Sequence, residues 1–204
     1  AFPTKANLMN AKNSLILSKQ GYELMDKKRN ILIKELMELI SEASSIQSEI
    51  DTTFRAAYAA LQSANIEMGI HNVEVISQTI PTEESIKIKQ RSVMGTEIPL
   101  VSFTKSDMAP VYSFYGTRVS LDNAYAQFNK VKELTIRLSM IENSAYRLAN
   151  SIKKTQRRAN ALKNVTIPRF TTLVADIQSA LEEKEREEFT RLKVIKRRKS
   201  QAYK

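Results

Sequence analysis

Between Pro3 and Pro81 the chain contains no proline and only two glycines, Gly21 and Gly69. Between Gly116 and Lys204 it contains no glycine and a single proline, Pro168. These two residue types interrupt regular backbone more strongly than any others, so each span reads as an almost unbroken helix. At about 1.5 Å rise per residue, helices of this size run to the order of 100 Å. A compact globular domain has no use for rods of that length. A shaft, spacer or tether has.

The apolar repeat says how the rods are partnered. Leu8, Leu15, Tyr22, Arg29, Leu36, Ala43, Ile50, Ala57 and Ala64 recur every seven residues, and all but Arg29 are apolar or aromatic. Three residues later, Ala11, Met25, Leu32, Leu39, Ile46 and Ala60 fall on the companion position, with Ser18 and Thr53 as the polar members. A narrow seam of period 3.5 is the coiled-coil pattern. The second span repeats it through Val131/Leu134, Leu138/Ile141, Ala145/Leu148, Ile152/Thr155 and Ala159/Leu162. Its register then jumps by four, from Thr166 to Phe170, and continues through Leu173, Ile177 and Ala180. Such a stutter unwinds a supercoil locally, and Pro168 inside it predicts a kink, with the Asn164 carbonyl losing its partner. Thr4 is placed to cap the first helix and Gly69 to stop it. Tyr22 and Arg29, large or charged at seam positions, read as packing and register devices.

Charge points to an antiparallel pairing within one chain. The formal net charge is +10, but the sign alternates along the sequence: residues 1–29 are basic, 30–70 acidic, 118–158 basic, and the glutamates Glu182, Glu183, Glu185, Glu187 and Glu188 follow. Folding the second span back on the first sets each block against its opposite. Single exposed ion pairs stabilise little, about 0–1 kcal/mol, yet together they select one orientation over another.

Residues 71–117 are built differently. Val73-Glu74-Val75, Ile86 to Lys89 and Ile98 to Phe103 are β-branched with partial alternation, Met94-Gly95 suits a turn, and Pro81, Pro99 and Pro110 exclude a continued helix. The fold class is therefore mainly α: an antiparallel two-helix coiled coil of residues 1–70 and 118–204, with a small hairpin-containing head, 71–117, expected at its far end. A linker of this length between antiparallel helices exceeds what the turn needs. Exposed strand edges there, around Ile86, Ile88, Arg91, Met94, Gly95 and Ile98, would face a partner.

Few kinds of chemistry remain open. The 204 residues include no cysteine and one histidine, so disulfides and thiolate sites are excluded and His71 has no companion ligand. His71 is read as a cap or surface residue, and the scattered glycines make no phosphate-cradling loop. No apolar run reaches the roughly 20 residues of a membrane span, and nothing at the start resembles a signal peptide. The expectation is a soluble, cytoplasmic, cofactor-free and non-catalytic chain. The basic run Arg191, Lys193, Lys196, Arg197, Arg198, Lys199 and Lys204 invites a nucleic-acid reading. It follows an antiparallel pair instead of preceding a parallel zipper, and it lacks interleaved aromatics. A protein-docking or solvated tail fits better. With only Val194, Ile195 and Tyr203 as apolar contacts, the tail is a poor membrane adsorber.

Four blocks carry a resemblance. Phe2-Pro3-Thr4-Lys5 with Gly21-Tyr22-Glu23-Leu24-Met25-Asp26-Lys27-Lys28-Arg29 opens the chain. Arg91-Ser92-Val93-Met94-Gly95-Thr96-Glu97-Ile98-Pro99 sits at its centre. Thr155-Gln156-Arg157-Arg158-Ala159-Asn160-Ala161-Leu162 runs on to Ile167-Pro168-Arg169. Glu185-Arg186-Glu187-Glu188-Phe189-Thr190-Arg191-Leu192-Lys193 closes it. In that order the blocks resemble the D subunit of the V-type and archaeal-type rotary ATPases across nearly the whole chain. Asn30 and Thr166 depart from the usual aspartate and aliphatic residue. The resemblance implies a rotor shaft whose paired terminal helices enter a hexamer of catalytic and non-catalytic nucleotide-binding subunits. Its other end, with a small central-stalk subunit, would sit on the funnel-shaped subunit joined to the membrane ring. It would lie on the cytoplasmic side of the membrane without inserting into it. Lys5, Lys12, Arg191, Lys193, Lys196, Arg197 and Arg198 would then face the hexamer. The alternatives left by the residues themselves are a basic coiled-coil scaffold for nucleic acid and a soluble tether.

Overall fold

A computed structural model describes residues 2–82, 84–103 and 112–202. Pro110, Tyr203 and Lys204, named above, lie outside them. The elements in chain order are α1 (Lys5–Met68), α2 (Ile70–Ser77), β1 (Lys87–Val93), β2 (Thr96–Ser102), α3 (Val119–Ala161), a π-turn (Leu162–Thr166) and α4 (Ile167–Ala202). They fall into two compact units, one of Ala1–Asn30 with Lys153–Lys204, the other of Ile31–Ile152.

In the first unit the start of α1 runs antiparallel to the end of α3 and to α4. Arg29 meets Gln156 at 2.9 Å, a Cβ on Gly21 would lie 3.7 Å from Leu162, and Lys5 meets Glu185 at 3.2 Å. The cap at Thr4 is present: its Oγ1 accepts the Asn7 N–H at 3.2 Å, satisfying one of the donors that a helix start leaves unpaired. Ala11, Thr155, Ala159 and Ile177 are buried along this seam, and Thr166, Phe170, Leu173 and Ala180 are half-buried. That sequence of inward residues is the expected stutter. The kink expected at Pro168 takes a more specific form. The turn just before it widens, and the Ile167 amide donates five residues back to the Leu162 carbonyl. Widening relieves the clash between a proline ring and the carbonyl four residues earlier, so helix continues on both sides.

The second unit pairs the rest of α1 with α3, again antiparallel. Leu32 packs with Leu148, Ile46 and Ile50 with Ile141, and Tyr58 stands edge-on to Phe128 at 5.7 Å. Arg137 and Glu42 approach to 3.9 Å, one of the opposite-sign matches read from the charge blocks. α1 stops at Met68 because Gly69 adopts φ +84°, a conformation in which a side chain is strained.

Two expectations are corrected here. Val73-Glu74-Val75 is helical, within α2, and not extended. Its local β preference yields to a helical apolar period, with Val73 buried against Ala64 and Leu121 and Ile76 packed beside them. The hairpin, moreover, does not stand at the far end of the helices. β1 and β2 pair antiparallel with Arg91 opposite Ile98 and Val93 opposite Thr96, joined through Met94 and Gly95, both at positive φ. That two-residue geometry matches the twist of the strands. The hairpin folds back so that Val93 and Ile98 bury themselves on Leu32 and Leu148. Two strands alone are marginal in water, and burial on the helix pair supplies what the turn cannot.

Candidate interaction surfaces

The hairpin is held by one stripe of α3. Met140, Ser144, Arg147 and Ser151 recur at helical spacing, and each meets the outer edge of β2. The Val101 N–H points at Met140 Sδ, 3.3 Å away. The Ser144 hydroxyl donates to the Met140 carbonyl at 2.7 Å and stands 3.5 Å from the Pro99 carbonyl. Arg147 donates to the Glu97 carbonyl at 3.3 Å, and the Thr96 hydroxyl donates to Ser151 at 2.7 Å. Pro99 brings no N–H to an edge that could not use it. The β2 edge is thus occupied by α3, and β1 is the outer strand. From the opposite helix Glu35 reaches Arg91 at 3.7 Å.

This arrangement sorts the residues expected to face a partner. Ile98 is 5 % exposed and belongs to the helix-packed core, whereas Ile88 is 71 % exposed on the outer strand. Ile86 and Met94 are also exposed, as is the Arg91 side chain, and Gly95 completes the turn. The α3 stripe escaped the sequence reading, which followed only seam positions. Its signal was present as Met, Ser, Arg and Ser at i, i+4, i+7 and i+11 beside the seam.

A second surface lies on α4. Because Lys5 at the start of α1 already pairs with Glu185, residues 186–202 run on beyond the first helix by about 25 Å. Side chains 182–199 are exposed without exception. Arg191, Lys193, Lys196, Arg197 and Arg198 sit here, with Arg191 3.8 Å from Glu187, and Lys12 is exposed on α1. Phe189, Leu192 and Ile195 follow at helical spacing and are 51–69 % exposed. An end both apolar and basic is suited to seating among protein side chains with acidic neighbours.

Near the α1–α2 junction a small apolar cavity of about 240 Å³ is lined by Leu61, Val73, Ile76, Leu121 and Phe128, among others. Tyr112 borders it and donates to Asp122 at 2.6 Å. Burial, then the Asp122 carboxylate, hold the phenol above its ordinary range. His71 is an exposed residue of α2, 3.9 Å from Glu74. Among the described residues no helix is long and apolar enough to cross a membrane.

Long antiparallel helices carrying a two-stranded hairpin define a helical-hairpin protein. The profile of the family of ATP synthase D subunits matches residues 7–197. The D subunit of the V-type ATP synthase of Thermotoga neapolitana is 44 % identical over 194 residues, covering 95 % of this chain and 96 % of its own. The D subunit of the A-type ATP synthase of Thermococcus kodakarensis is 35 % identical over 197 residues, 95 % of this chain and 92 % of its own. That of Methanosphaera stadtmanae is 36 % identical over 198 residues, 96 % and 92 % respectively. The chain belongs to the family of ATP synthase D subunits, and is thus one component of a rotary ATPase complex.

Proposed function

We propose that the chain is the non-catalytic rotor of the central stalk, transmitting torque between a nucleotide-binding hexamer and an ion-translocating membrane ring. The observation that carries this reading is the bare extension of α4, residues 186–202. Its side chains 186–199 are exposed, basic and partly apolar, and among the described residues no helix of the chain lies opposite them. Seated in a hexamer, Arg191, Lys193, Lys196, Arg197 and Arg198, with Lys5 and Lys12 near the start of α1, would face acidic loops. Charge attraction varies smoothly with distance and is screened beyond about 8 Å at physiological salt, so it steers a turning shaft without locking one angle. The outer strand of the hairpin, through Ile86, Ile88, Arg91 and Met94, is the surface offered to the small central-stalk subunit, with Ile98 as the anchor that positions it. The short helix α2, at the adjoining helix reversal, is the part offered to the funnel-shaped subunit, on the cytoplasmic side of the membrane.

The test is to neutralise Arg191, Lys193, Lys196, Arg197 and Arg198 together. Insertion into the hexamer and the coupled ATPase rate should both fall, while each single change has little effect. Normal assembly and turnover by the five-fold variant at raised ionic strength would show that shape alone carries the torque. Wild-type chain that ignores the hexamer but is retained on DNA in a salt-sensitive way would replace this reading with a nucleic-acid scaffold.

A further inference from the structure

Two weak points of the first unit coincide. Gly21 is the only one of the four glycines that lies inside a helix. Of all the levels along α4 and the end of α3, it faces the π-turn: a Cβ added there would meet Leu162 at 3.7 Å. A residue that favours helix least among those other than proline thus stands opposite the turn whose hydrogen bonds are widest. On that second side the defect is doubled. Pro168, one residue into α4, removes another backbone donor, and the Thr166 hydroxyl reaches only to 3.4 Å from the Ala161 carbonyl.

The neighbouring level is built the opposite way. Arg29 donates to Gln156 at 2.9 Å across the seam and pairs with Asp26 at 2.6 Å on its own helix. Asn30 accepts from the same guanidinium at 3.2 Å, and Gln156 donates to Asn160 at 2.7 Å. At the level of Gly21 itself the cross-helix contact of Tyr22 is long: the Lys163 ammonium stands over the Tyr22 ring, 5.8 Å from its centre.

We propose that the level of Gly21 and Leu162–Thr166 is a compliant joint, at which the helix pair bends and twists beside the fixed Arg29 cluster. Helix bends have local causes, and here both helices carry one at the same height. Either alone would be braced by an intact neighbour. Together they set the least helix-favouring residue of α1 against the widened turn of its neighbour. What such a joint does in a turning shaft, storing twist between steps, rests on the rotor reading; the joint itself does not.

The test uses the full chain, free in solution. Spin labels on Asn10→Cys and Lys27→Cys, both exposed and about 25 Å apart along α1, span Gly21. Labels on Glu38→Cys and Arg55→Cys span the same number of residues of α1 with no glycine between them. The distance distribution across Gly21 should be about twice as wide as the control. Gly21→Ala with Pro168→Ala should narrow it to the control width, with the helical signal retained. Gly21→Ala alone, whose methyl group meets only ordinary contact, should narrow it part of the way. Equal widths in the unmodified background, or a width that neither variant changes, would overturn the joint. Because no hexamer is present, that outcome leaves the rotor reading untouched.

Discussion

Ile98 and Ile88 sit ten residues apart on one hairpin, and the structure assigns them opposite jobs. Ile98 is 5 % exposed and Ile88 71 %. Truncating Ile98 to alanine removes three buried carbons, at about 0.8 kcal/mol each. It also leaves a void between Val93, Leu32 and Leu148 that the helices cannot close without moving. Core truncations of this kind cost 2–5 kcal/mol, and the loss here is expected at about 3 kcal/mol. That amounts to about a hundredfold in the opening equilibrium. Ile88→Ala, by contrast, should stay within about 0.5 kcal/mol of the unmodified protein. Amide exchange along Lys87–Val93 and Thr96–Ser102, followed with a urea transition read by circular dichroism, separates the cases. Exchange should accelerate about a hundredfold for Ile98→Ala and hardly at all for Ile88→Ala. Binding of the small stalk subunit should show the reverse order, with Ile88→Ala weakening it at unchanged stability. If Ile98→Ala leaves hairpin exchange unaltered, or Ile88→Ala costs more, the hairpin is not anchored as the packing states.

Three further outcomes follow from named contacts. Gly21→Cys with Leu162→Cys should be joined within one chain by a short bifunctional thiol reagent, on a background free of other thiols; a pair that links only between chains would contradict the antiparallel alignment of the first unit. Arg29→Ala should destabilise that unit by about 1–3 kcal/mol, because it strips a charged partner from Asp26 and Gln156, whereas Lys19→Ala on an exposed face should not move a thermal melt. Tyr112 binds its proton more tightly in the folded state, so its contribution is complete below the ordinary phenol value of about 10 and is lost as pH rises beyond it. Urea midpoints at pH 9 and 11 should fall less for Tyr112→Phe than for the unmodified chain, and an equal or steeper fall would refute the assignment.

How far the sequence reached depended on the range of the interaction. Thr4, Gly69 and Met94-Gly95 act through their own backbone and immediate neighbours, so cap, stop and turn were readable where they stand. The stutter after Leu162 was readable too, as a change of period. Its resolution was not, since whether a chain kinks or widens before Pro168 depends on which backbone carbonyl the Ile167 amide finds, and that is settled by the packing of the helix pair. Val73-Glu74-Val75 misled because β propensity reports a preference for a half-buried pleated surface, and at this place the surface on offer was the seam of Ala64 and Leu121.

By itself the sequence determined two helices, their heptad seams, their antiparallel sense from alternating charge, a hairpin between them, and the family through its ordered blocks. Each of these rests on periodicity, local backbone preference or summed charge, quantities that a linear string carries in full. Only the tertiary structure decided where the hairpin lies, and with it which of its isoleucines is core and which is surface. Docking Val93 and Ile98 on Leu32 and Leu148, and the β2 edge on Met140, Ser144, Arg147 and Ser151, joins residues far apart in the chain, as Ile98 from Leu32 and Val101 from Met140. No period links them. Their match is one of shape and of unpaired edge groups finding donors and acceptors, which exists only once the helices have set those side chains side by side.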